Sequence, residues 1–98
     1  MSSFSDRLVE AVRRCGNPVL VGLDPRWESL PESIRSGVSA RPADRADAFR
    51  RFCVEVIEVV AGRVPAVKPQ AAFFEQLGPA GFAALGEVVA YAKDRGLL

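Results

Sequence analysis

The sequence predicts an α/β fold built on parallel strands, and three observations carry that reading. Two short apolar runs, Val19 to Asp24 and Val64 to Lys68, have the composition of strands buried on both faces, as in a parallel sheet. Longer segments with apolar residues at helical spacing stand before, between and after them. The resulting order of helix, strand, helix, strand, helix implies parallel pairing through right-handed crossovers.

The totals bound what such a fold does. The chain has 98 residues, 49% of them hydrophobic and 26% charged, which suits one small unit with a real core and excludes a disordered chain. Lysine and arginine number 13 against 12 acidic residues. A net charge of +1 creates no field toward nucleic acid or a membrane surface, so neither is expected as a partner. No apolar stretch approaches the roughly 20 residues needed to span a bilayer, and the first residues lack a signal-peptide pattern. A cytoplasmic protein is expected. Cys15 and Cys53 fall at helical core positions without CxxC spacing and read as reduced packing residues. The chain contains no histidine, which removes Ser-His-Asp and Cys-His triads and the common zinc sets, and no metal site is expected.

Each element has its own signal. Ser3 caps a first helix with Asp6 three residues on, and Leu8, Ala11, Val12 and Cys15 form its apolar face before Gly16. Gly16-Asn17-Pro18 turns the chain into the first strand. From Pro25 to Pro42 the composition is that of a long loop, with Trp27, Leu30 and Ile34 anchoring a short helical turn, and loops of that length are usually functional. Ala43 to Ala61 is the clearest helix, with Phe49, Phe52, Cys53, Val56, Ile57 and Val60 on one stripe. After Gly62 comes the second strand. Gly78-Pro79 then opens a helix whose expected inner face is Phe82, Leu85, Val89 and Ala92, with Gly96 as its C-terminal cap. Leu97-Leu98 reads as the start of a third strand. Two strands and a stub cannot close a barrel or cover both sheet faces, so residues 1–98 are expected to be the N-terminal piece of a longer protein.

Two charged residues stand at the ends of the apolar runs. Asp24 precedes Pro25, which forces an extended backbone. A carboxylate there accepts hydrogen bonds from sugar hydroxyls or orients a lysine; Asp-Pro is equally a common turn dipeptide, and the residues alone leave both roles open. Lys68 ends a strand expected to be buried, where an ammonium is costly unless paired or ligand-bound, which marks it as a site lysine. On neighbouring strands the two tips lie about 5 Å apart and meet or share one ligand. Glu75 reads as a solvated residue, and Phe73 and Phe74 as packing groups with no basic cluster beside them. Gly78 and Gly81 do not make a GxGxxG pattern, so a dinucleotide site is unsupported.

Val21-Gly22-Leu23-Asp24-Pro25, the stretch Val67-Lys68-Pro69-Gln70-Ala71-Ala72-Phe73-Phe74-Glu75, and Gly78-Pro79-Ala80-Gly81-Phe82 together resemble the opening of the orotidine 5'-phosphate decarboxylases, in their longer bacterial form. The resemblance covers nearly the whole chain, and its most specific part is the second stretch. It implies the N-terminal part of a (β/α)8 TIM barrel, incomplete in this chain. It also implies conversion of orotidine 5'-phosphate to UMP and CO2 in pyrimidine synthesis, without metal or organic cofactor, by a homodimeric parent enzyme. Asp24 matches the family's first-strand aspartate, which binds ribose hydroxyls. Lys68 matches its second-strand lysine, which contacts the ribose within a charged network beside the substrate carboxylate. The family's Asp-x-Lys-x-x-Asp motif, whose lysine protonates the carbon left by CO2 loss, is expected beyond Leu98, as are the phosphate-gripping arginine and loops. No catalytic residue is therefore expected in this chain, which alone should be inactive. The alternatives are another sugar-phosphate barrel, such as a metal-dependent hexulose-phosphate synthase, and a non-catalytic assembly module pairing through the exposed strand edge.

Overall fold

A computed structural model of the chain describes residues 3–98. Helix α1 spans Phe4–Cys15, with the Ser3 hydroxyl accepting from the Asp6 amide at 3.1 Å and Gly16 closing it in the left-handed region at φ 76°. Strand β1 is Leu20–Leu23, and the long loop after it holds a 3₁₀ turn at Trp27–Ser29 and a one-turn helix α2 at Glu32–Arg35. Leu30 and Ile34 are the buried anchors of that loop, as their spacing predicts. Helix α3, Pro42–Val60, begins with proline at its first position, where the missing N–H costs nothing. Strand β2 is Ala66–Pro69, and a short helix α4, Ala71–Glu75, follows it. Helix α5 is Pro79–Asp94.

The strands are parallel neighbours in the register Leu20 to Ala66, Val21 to Val67, Gly22 to Lys68 and Leu23 to Pro69. Gln70 continues the ladder by donating its amide to the Leu23 carbonyl at 3.1 Å. Leu98 lies alongside β2 as well. Leu98 donates to the Pro65 carbonyl at 3.1 Å and accepts from the Val67 amide at 3.3 Å, the bonding of a parallel partner opposite Ala66 on the free edge of β2. Asn17 ties the lower ends together: its side-chain amide donates to the Arg63 carbonyl at 2.8 Å while its oxygen accepts from Val19 at 3.0 Å.

Helices α3 and α5 pack side by side on one sheet face. Arg50 reaches Glu87 at 3.5 Å, and eight residues further along α3 Glu58 accepts from Arg95 at 3.0 Å and from the Tyr91 hydroxyl. The constant offset between these pairs shows that the helices run parallel, as two successive crossovers require. Beneath them Phe49 and Phe74 meet edge to face, centroids 6.1 Å apart, among Leu23, Cys53, Ile57 and Val88. Extents of 42 × 25 × 18 Å leave room for one helical layer on the sheet. The opposite sheet face is bare.

That bare face corrects the expectation of strands buried on both sides. Val21, Leu23 and Val67 turn inward to the helices, whereas on the other face Leu20, Gly22 and Lys68 are exposed and only Ala66, between its neighbours Leu20 and Leu98, is buried. The strand bounds also shift: Asp24 lies just past β1, and Lys68 is the third of the four residues of β2 rather than its tip. In α5 the buried face is Gly81, Ala84, Val88 and Ala92, while Phe82 is 56% exposed. Of the face expected from helical spacing only Ala92 is buried, while Leu85 is half-buried and Phe82 and Val89 are exposed. Close approach to α4 selects small residues instead: a Cβ on Gly81 would sit 1.8 Å from the Phe74 carbonyl oxygen. On α1 only Ala11 of the expected apolar face is buried. Gly96 ends α5 at φ 82° one residue beyond the cap, with Gly96 and Leu97 donating to the carbonyls of Lys93 and Ala92 in a Schellman arrangement.

Candidate functional site

Asp24 is held by its neighbours. Leu23 and Pro25 are both fully buried, so the exposed aspartate is pinned between two anchored residues at the C-terminal end of β1. Lys68 has similar flanks, buried Val67 before it and half-buried Pro69 after it. Each charged residue thus precedes a proline that keeps its backbone extended. Side chains alternate along a strand, so Leu20, Gly22 and Asp24 share one face of β1, and the register puts Ala66 and Lys68 on that same face of β2. The two residues therefore share the bare face of adjacent parallel strands, at the end where α/β folds carry their sites.

Gly22 is the residue the sequence reading passed over. Its Cα is the register partner of Lys68, and a Cβ placed on it would lie 3.2 Å from Oδ2 of Asp24. The Asp24 carboxylate therefore leans back over Gly22 toward the level of Lys68. A glycine inside an apolar strand is a sign of such close approach, and that signal was present in the sequence.

Asp24 and Lys68 form no ion pair, since the salt bridges among the described residues are Arg35–Glu32, Arg50–Asp47, Arg50–Glu87 and Arg95–Glu58. Nor do they line a common cavity. A hollow of about 700 Å³ is an open groove along α1, and neither residue borders it. Lys68 is exposed, which removes the burial cost that singled it out in the sequence; what remains in its favour is the register that places it beside Gly22. Glu75 is exposed, as expected. Phe74 is core, and Phe73 is half-buried beneath the Arg26 guanidinium, 5.0 Å from its ring centre.

Cys53 lies behind the site. Burial first, and the Asp24 carboxylate second, push its thiol up from 9.0 to about 12, so it is a protonated packing group at neutral pH. Cys15 and Cys53 are both free. Among the described residues no helix is long and apolar enough to cross a membrane, and no cluster of His, Cys, Asp or Glu has metal-holding geometry.

No family model matches the chain. Over its whole length it is 52% identical to the orotidine 5'-phosphate decarboxylase of Rhodopirellula baltica, 37% identical to that of Nocardioides sp. and 32% identical to that of Caldicellulosiruptor saccharolyticus. In each case it spans about 33% of the relative's length. All of it also superposes, with a TM-score of 0.77 and 34% identity, on 32% of a Streptomyces avermitilis crystal structure provisionally assigned to orotidine 5'-phosphate decarboxylase. The chain is thus similar end to end to one third of the enzyme that its motifs resemble, and its fold is that of part of an α/β barrel.

Proposed function

We propose that residues 1–98 supply the first strand-helix units of an orotidine 5'-phosphate decarboxylase, a carboxy-lyase that forms UMP and CO2, and that Asp24 and Lys68 hold the ribose of its substrate. The observation that carries this reading is the register that sets Gly22 opposite Lys68 and leaves the Asp24 carboxylate leaning over that glycine. End-to-end similarity to decarboxylases supports it independently.

On this reading the bare sheet face lines the barrel interior, with the remaining strands closing over it. Asp24 accepts hydrogen bonds from ribose hydroxyls. Lys68 donates to the sugar and places a fixed positive charge beside the substrate carboxylate. Their separation fits this division of work, because a direct ion pair would use the donors and acceptors that the sugar needs. Decarboxylation is favoured when fixed charges suit the transition state better than the bound carboxylate, which is differential binding. Proton delivery to the carbon that loses CO2 is assigned to a lysine following Leu98. The parent enzyme is read as a cytoplasmic homodimer without cofactor, metal, nucleic-acid or membrane partner.

Lys68→Ala in the full-length enzyme tests the reading, with kcat/KM expected to fall by about 10²-fold or more, as when one charged contact to the transition state is lost. An unchanged kcat/KM would make Lys68 merely structural. The 98-residue chain alone is expected to form no UMP, and measurable turnover by it would overturn the placement of proton delivery beyond Leu98.

A further inference from the structure

A second polar hollow lies between the loop after β1 and helix α4, with Pro25, which follows Asp24, at its edge and neither Asp24 nor Lys68 in its lining. It encloses about 290 Å³ and is lined by Arg26, Trp27, Glu28, Arg45, Phe73 and Gln76, over an apolar floor of Phe49 and Leu77. Both arginines are stacked on aromatic rings, Arg45 at 4.2 Å from the centre of Trp27 and Arg26 at 5.0 Å from that of Phe73. Stacking fixes a guanidinium by its flat face and leaves its in-plane N–H groups free to donate. Among the described residues Arg35, Arg50 and Arg95 each hold a carboxylate, whereas Arg26 and Arg45 have neither a salt bridge nor a side-chain hydrogen bond.

We propose that this hollow is a binding site for the oxyanion head of a small molecule, a phosphate or a carboxylate, gripped between Arg26 and Arg45 with its apolar part on Phe49 and Leu77. Two forked cations facing one space match the geometry of such groups, and the volume approaches that of small-ligand pockets. Glu28 at the rim opposes the anion by like charge. Its side chain is exposed and in no ion pair, so it weakens binding without preventing it.

Trp27 is the single tryptophan of the chain and lines the site, so its fluorescence reports occupancy. Titration of the monomeric fraction of the 98-residue protein, its helix content verified by circular dichroism, with inorganic phosphate, and separately with acetate, at ionic strength held constant with chloride, should give a saturable change in emission. The tighter of the two identifies the head group. Arg26→Gln and Arg45→Gln should each weaken binding about tenfold or more, Arg45→Lys should weaken it despite keeping the charge, and Glu28→Gln should strengthen it. Arg26 is exposed, so its variant carries the test even if Arg45→Gln fails to fold. The absence of saturation with either anion, or an unchanged midpoint in a folded Arg26→Gln protein, overturns the proposal. Lys68→Gln should leave the titration unaltered, and a loss of the signal there would assign the anion to the Asp24 and Lys68 face instead.

Discussion

At the scale of single residues, the candidate site turns on Gly22. With a methyl group there, the Asp24 carboxylate would have to move from its place 3.2 Å away. On the proposed function, Gly22→Ala in the full-length protein is expected to raise KM for orotidine 5'-phosphate severalfold while leaving the melting temperature equal or higher, because alanine restricts the unfolded chain. Steady-state kinetics paired with calorimetry checks it. Cys53 makes a separate prediction. Its folded pKa of about 12 stands above the ordinary 9.0, so below pH 9 both states keep the proton and the thiol's contribution is complete. Above pH 9 the unfolded chain releases the proton first, and stability falls until the folded thiol also ionises near pH 12. Urea unfolding across this alkaline range should show a shallower decline for Cys53→Ala than for the parent sequence. Thiol labelling at neutral pH should modify half-buried Cys15 and spare Cys53.

Among elements, the contact between α4 and α5 is the most exacting. Gly81→Ala would drive its methyl group into the Phe74 carbonyl, so α5 must shift, and a loss of roughly 1–3 kcal/mol or more is expected from overpacking. Chemical denaturation measures it. Asn17→Ala would release the Arg63 carbonyl and the Val19 amide together, at a cost of about 1–2 kcal/mol. The elements themselves were largely legible in the sequence, because caps such as Ser3 and Gly16 and the stripe of α3 act locally. What escaped was governed by neighbours. The inward face of α5 is chosen by how closely α4 approaches, and α4 itself arises within a segment too short to carry a periodic pattern. The placement of Asp24 and Lys68 on neighbouring strands was legible, while the glycine in the first run, itself a visible signal, found its opposite residue only through the register.

Across the whole molecule the two faces of the sheet differ. The accessible surface of 6117 Å² exceeds the roughly 5,500 Å² expected for a compact protein of this mass, and Leu20 is 53% exposed on the bare side. The 98-residue chain by itself is therefore expected to bind a hydrophobic dye and to elute heterogeneously on size exclusion. A single sharp monomer peak without dye binding would contradict this. The order of strands and helices was readable, since it follows from alternating periodicities. The exposure of Lys68 was not, since apolar runs in the sequence do not say whether anything lies over the second side of a sheet.

The pair of hydrogen bonds at Leu98 sets a phase. A parallel ladder repeats every two residues, so with Leu98 level with Ala66, an extended continuation would bring its second added side chain alongside Lys68, facing the same way. The edge of β2 thus has one rung already occupied, and that rung fixes the phase of any strand laid along it.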